Sequence, residues 1–100
     1  MISKGCTCKH TFAIPFTENQ ISAIFITYQQ DQVTKIEKEL SDCEFADGTV
    51  SVKLSQEDTL KFDDNAIIKI QIRVKLISGA VTKSEIIETF TDDVLKDGVI

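Results

Sequence analysis

This sequence predicts an all-β domain built as a two-sheet antiparallel sandwich of about seven strands with one or two short helical turns. Three observations carry the prediction. Ile68, Ile70, Ile72, Val74 and Leu76 share one parity between positions 66 and 77, with Lys69, Gln71, Arg73 and Lys75 on the other. That is the period-two signature of a half-buried strand, and Ile and Val suit a pleated surface better than a helix. Turn pairs, Asp47-Gly48 and Ser78-Gly79, follow two of the apolar runs. The runs recur at roughly eight- to twelve-residue intervals, as in sandwiches.

Taken in order, Thr11 to Phe16 sets Phe12, Ile14 and Phe16 on one face, and Pro15, which has no N–H, makes this an edge strand or one ending in a bulge. Ser22 to Gln29 carries Ile24, Ile26 and Tyr28 opposite Ala23, Phe25 and Thr27. Both sides are largely apolar, as in a central strand covered on two faces. Gln30, Asp31 and Gln32 form a polar turn into a weaker, solvent-facing strand from Val33 to Leu40. Cys43 to Leu54 reads as a hairpin about Asp47-Gly48, and Ala80 to Phe90 as the last strand after the long one. Ser55 to Leu60 opens with a capping residue and reads as one helical turn crossing between sheets; Asp92 to Gly98 reads as another.

Seven such strands in 100 residues suit the immunoglobulin type of sandwich. Leu54, Glu57-Asp58-Thr59 and Phe62 are spaced like the crossover of variable domains, where a Leu precedes Glu-Asp-Thr and a corner Tyr; Phe62 lacks that hydroxyl, and the chain has no Trp to pack on a disulfide. The length fits a single domain, residues 1–100, with residues 1–9 read as a flexible tail before the first strand. With 42% apolar and 27% charged residues, four Gly and one Pro, the composition excludes disordered and collagen-like classes. A net charge of −5 argues against nucleic acid and anionic membrane as partners. No apolar run approaches the roughly 20 residues of a membrane span, and residues 1–14 are too polar for a signal peptide, so a cytoplasmic protein is expected.

Chemistry-bearing residues are few. On an extended strand Cys6, Cys8 and His10 share one face and form the single cluster of soft metal ligands. A structural zinc site needs four ligands, normally in spaced pairs, and the fourth candidate, Cys43, is remote in sequence. The plainer reading makes Cys6 and Cys8 small residues of a mobile segment and Cys43 a buried small apolar residue, with no cofactor. A lone His beside two Cys on a terminal strand does not build a nucleophile, a base and an orienting group across a cleft, so no enzyme is expected. Asp63-Asp64 and Asp92-Asp93 lack the spacing of a calcium loop, and a sugar-binding module would need more exposed aromatics. The Lys69, Arg73, Lys75 row could face a partner, though a Lys-lined face also guards a sheet against pairing.

Lys4-Gly5, His10-Thr11-Phe12, Ile26-Thr27-Tyr28-Gln29-Gln30, Asp42-Cys43, Leu54 to Phe62, Ile70 to Val74 and Val94 to Ile100 together resemble a family of small phage and prophage proteins of Gram-positive bacteria. The resemblance spans nearly the whole chain. It implies a non-catalytic structural or interaction module of a virion or tail, with other virion proteins or a second copy as partner and the virion as its destination. Strand edges are the expected interface, above all His10, Phe12, Ile14 and Phe16, in a segment that could be donated to another subunit. The alternative is a soluble binding domain for a metal or small ligand at Cys6, Cys8 and His10.

Overall fold

The computed structural model describes residues 2–46, 48–63, 66–84 and 86–91. Among these residues eight strands form two antiparallel sheets. The smaller sheet has the order β1 (Cys8–Ala13), β5 (Thr49–Leu54), β4 (Cys43–Ala46). The larger runs β3 (Val33–Glu39), β2 (Ile21–Gln30), β6 (Ile67–Leu76), with β7 (Val81–Lys83) and β8 (Ile87–Phe90) sharing the far edge of β6. This order matches strands B-E-D against C′-C-F-G of an immunoglobulin sandwich. Among the described residues no helix is long and apolar enough to cross a membrane.

Strand alternation builds the core. Ile24, Ile26 and Tyr28 of β2 and Ile68, Ile70, Ile72 and Val74 of β6 face Val50, Val52 and Leu54 of β5, and all are buried. Ser55 caps the single helical turn α1 (Gln56–Leu60): its hydroxyl accepts from the Asp58 N–H at 3.1 Å, while the Asp58 carboxylate accepts from the Ser55 N–H at 2.9 Å. The turn carries the chain from β5 to β6 as the sequence predicts, and Phe62 just beyond it is 1% exposed.

A polar clasp locks this corner. The Gln30 amide, 2% exposed, accepts from the Asp63 N–H at 2.6 Å and donates to the Asp63 carbonyl at 3.3 Å. Thr91, also buried, accepts from the Ala66 N–H at 3.1 Å and donates to the Asp63 carbonyl. The β2–β3 hairpin has a two-residue loop, Asp31 and Gln32, with φ of 50° and 64°. Both are in the left-handed region that the twist of a tight hairpin demands and that Gly tolerates best.

Four expectations need correction. The first strand is Cys8–Ala13 rather than Thr11 to Phe16: it is an edge strand, but His10 pairs with Val52 and Cys8 with Leu54, and the last bond runs from the Ile14 N–H to the Gly48 carbonyl before Pro15. β2 is central, yet its outer side is open, with Phe25 38% exposed. The segment from Ala80 to Phe90 is two strands, because Ser84 interrupts the ladder: its hydroxyl accepts from the Ile72 N–H at 3.0 Å and its N–H donates to the Ile72 carbonyl at 2.8 Å. The N-terminal segment is docked. Ile2 is 2% exposed and bridges Thr91 in parallel, and the buried Thr59 hydroxyl accepts from the Gly5 N–H and donates to the Cys6 carbonyl. The helical turn read at Asp92 to Gly98 lies outside the described residues, as does Asp47 of the hairpin turn, whose Gly48 has a φ of 72°.

Two substitutions check this account by urea denaturation. Gln30→Ala removes the partner of both the Asp63 N–H and its carbonyl in a part-buried corner and is expected to cost about 1–3 kcal/mol. Gln32→Gly relieves a left-handed non-glycine residue and is expected to raise stability by roughly 0.5–1 kcal/mol.

Candidate functional site

On β1 the inward parity falls on Cys8, His10 and Phe12, each half-buried against the core. The Cys8 Sγ and His10 Nε2 are 3.7 Å apart, and His10 Nδ1 lies 2.7 Å from the Tyr28 hydroxyl on the opposite sheet. The imidazole also stacks on the Tyr28 ring at 5.7 Å, and Tyr28 tilts against Phe62 at 6.1 Å. A thiol, an imidazole and a phenol therefore form one chain across the sandwich, and either imidazole tautomer satisfies both ends.

Outside this chain lies an open cleft of about 720 Å³, lined by Thr7, Cys8, Lys38, Leu54, Ser55 and Asp58 with Lys9 and Lys53 at its rim. Its one lining carboxylate is already paired. Lys38 donates to the Asp58 carboxylate at 2.9 Å, and both side chains are mostly covered. Burial works against ionisation of Asp58, but hydrogen bonds from the Ser55 backbone and from Lys38 outweigh it and hold the carboxyl below its ordinary value. Burial raises the Cys8 thiol, with the Asp58 charge adding to it, so Cys8 is a thiol rather than a nucleophilic thiolate. Burial lowers His10 and raises Tyr28.

Cys6 does not join this arrangement. It lies in the turn before β1, exposed, with its N–H donating to the Ser3 carbonyl at 3.1 Å. Cys43 is half-buried on β4 and its thiol donates to the Glu39 carbonyl at 3.3 Å. All three cysteines are free thiols, and no group of three or more metal-ligating side chains occurs among the described residues.

The interface residues read from the sequence are likewise turned inward. Phe12, Ile14 and Phe16 pack on the core, and Ile14, Pro15 and Phe16 line a pocket of about 190 Å³ beside Ile72 and Val74. β1 offers a partner its backbone edge, not these side chains.

The surface that periodicity left as a solvated strand is the outer face of the larger sheet. Every large apolar side chain exposed among the described residues belongs to this sheet or its connections: Phe25, Val33, Ile67, Ile77, Val81, Ile86, Ile87 and Phe90. The smaller sheet turns out Lys9, Thr11, Glu44, Ser51 and Lys53 instead. One row crosses the larger face in register, Glu39 beside Phe25 beside Arg73 beside Lys83. Its four residues come from four strands, so no sequence spacing announces it.

No protein-family model matches the chain, and no curated protein does. Among solved structures it is similar to the V domain of amphioxus IgVJ-C2, at 9% identity over 91% of this chain and 97% of that one, with a TM-score of 0.37.

The pKa shifts fix a pH profile. His10 is depressed below 6.5 by burial, so the unfolded chain binds the proton more readily; its contribution is complete above pH 6.5 and is lost as pH falls through the folded value. Cys8, Cys43 and Tyr28 are raised, so their contribution is complete below their ordinary values and is lost as pH rises from about 9. Urea stability is expected to be level between these limits and to fall on both sides. His10→Gln is expected to remove the decline just below pH 6.5, leaving the Asp58-linked loss below about pH 4. A wild-type profile that stays flat from pH 7 to pH 5 would contradict the assignment.

Proposed function

We propose that this chain is a non-catalytic interaction module of a phage or prophage particle, virion- or tail-associated, working through the faces and edges of its sheets. One observation carries the interaction reading: among the described residues the exposed large apolar side chains belong to the larger sheet and its connections, with Phe25, Ile67, Val81 and Phe90 on its outer face, while the smaller sheet's outer face is polar. Scattered apolar residues need no explanation, but a one-sided collection of them marks a surface that meets something. The half-buried, unactivated Cys8 and the Lys38–Asp58 pair closed on itself support a role without catalysis. The particle itself comes from the sequence resemblance. The chain would then be made in the cytoplasm and carried on the virion.

A second reading, a soft-metal site, is favoured by one distance. Zn–S and Zn–N bonds of about 2.3 and about 2.0 Å at a tetrahedral angle separate sulfur from nitrogen by about 3.5 Å. Cys8 and His10 stand at 3.7 Å, with Tyr28 holding the far nitrogen of the ring. Cys6, two residues before Cys8, is the nearest further soft ligand in sequence.

The two readings part in one pair of measurements. Phe25→Asp is expected to leave the circular dichroism spectrum and urea midpoint within about 0.5 kcal/mol of wild type. It is expected to deplete the chain from particles purified by density gradient and quantified by mass spectrometry. Retention at wild-type copy number removes the face from the proposal. A cadmium thiolate charge-transfer band at one equivalent, abolished by Cys8→Ser, would instead establish the metal reading.

A further inference from the structure

The two sheets treat the same electrostatic problem differently. On the smaller sheet Lys9 and Lys53 are directly opposite in register, two like charges that repel across the strands. Glu44 on the next strand reaches both, 3.6 Å from Lys9 and 3.9 Å from Lys53, and offsets one of the two charges. On the larger sheet Arg73 and Lys83 are opposite in the same way, both exposed. Among the described residues no carboxylate is within ion-pair distance of either, and no cation is within that distance of Glu39 at the other end of the row. Among the described residues one like-charge pair has a counterion within reach and the other has none.

The row's order says where that counterion would come from. Across the face it runs acid, aromatic, cation, cation: Glu39, Phe25, Arg73, Lys83. Turn a second copy by a half-rotation about an axis parallel to the strands, midway between β2 and β6, and strand positions exchange while heights are kept. Glu39 then lies over the partner's Lys83, and Phe25 over the partner's Arg73, each twice by symmetry. A guanidinium over an aromatic face is itself attractive. In the neighbouring rows Thr27 meets the partner's Gln71, Gln29 the partner's Lys69, Thr34 the partner's Glu88 and Ala23 the partner's Lys75, so among these pairs no like charges face one another. A half-rotation about an axis lying across the strands would put β6 on β6 with heights reversed, laying one copy's Lys69, Arg73 and Lys75 strand on the same cationic strand of the other. Charge order therefore selects one geometry.

Resting on the interaction-module reading and naming its partner, we infer that the outer face of the larger sheet binds a second copy of this chain as a two-fold dimer with strands aligned. Ten-residue strands and four strand positions give a planar footprint of about 33 Å by about 15 Å. That is smaller than the roughly 800 Å² per partner of a standard interface, so the dimer is expected at micromolar concentrations and weakens with salt.

Charge exchange tests it. Sedimentation velocity from about 1 to about 300 µM is expected to show a monomer–dimer equilibrium in the wild type. Glu39→Lys alone sets cation against cation and Lys83→Glu alone sets acid against acid, so each is expected to weaken dimerisation about tenfold or more. Mixed in equal amounts, the two variants are expected to form a heterodimer of near wild-type affinity, because every facing pair is again opposite. Circular dichroism of each variant checks that it folds. A wild-type monomer throughout that range overturns the dimer, and so does a wild-type dimer indifferent to both reversals. In either case particle incorporation of Phe25→Asp decides separately whether the face binds another partner or none.

Discussion

Two sheets joined by backbone crossovers but by no disulfide among the described residues are held face to face by what fills the space between them. This chain has neither a disulfide joining the sheets among its described residues nor a Trp to pack on one. The gap is closed by alternating Ile and Val from β2, β5 and β6 and, at one end, by the His10–Tyr28–Phe62 stack that crosses it. Burial of aliphatic side chains supplies most of the adhesion but little direction, at roughly 1.5–3 kcal/mol for each fully buried residue. The stack adds direction, because the Tyr28 hydroxyl must find a polar partner when buried and His10 offers one at a single position along β1. Cys8 and His10 are therefore half-buried for a structural reason first, and their shifted pKa values follow from it.

That placement weakens the chemistry their residue types suggest. A thiolate nucleophile needs a depressed pKa, whereas Cys8 is pushed upward by burial and by the Asp58 charge. The cation beside it that could have helped, Lys38, is held by Asp58, whose carboxylate also caps α1. One carboxylate thus caps the start of a helical turn and occupies a lysine, which ties the crossover between sheets to β3 and leaves the cleft no free carboxylate of its own.

Much of the architecture was legible because burial writes itself into strands with period two. β6, the β2–β3 hairpin and the capped crossover at Ser55 all follow from local pattern, and the strand count missed by one where a single hydroxyl, that of Ser84, takes the place of a ladder bond. The docking of residues 2–7 was not legible: it depends on Thr59, more than fifty positions away, presenting its hydroxyl to Gly5 and Cys6, and on Ile2 reaching Thr91. The same docking separates Cys6 from Cys8 and His10, although their spacing places all three on one face of an ideal strand. Parity predicts a shared face only where the chain is paired, and pairing begins at Cys8.

Periodicity also says which residues point outward without saying which of them are neighbours. Lys69, Arg73 and Lys75 read along β6 are an ordinary solvated row. Read across the sheet, Arg73 stands between Phe25 and Lys83, and that direction is fixed by register, which the hydrophobic pattern specifies only through the inner face. Selection for stability alone would favour a carboxylate near Arg73 and Lys83, as Glu44 serves Lys9 and Lys53 on the smaller sheet. The acid in the row is Glu39, two strands from Arg73 beyond Phe25 and three from Lys83, within ion-pair distance of neither, and placed to meet Lys83 across a two-fold axis. A small repulsion kept in the monomer and relieved in the dimer gives the face orientation as well as affinity, since the aligned pairing removes it and the crossed pairing doubles it.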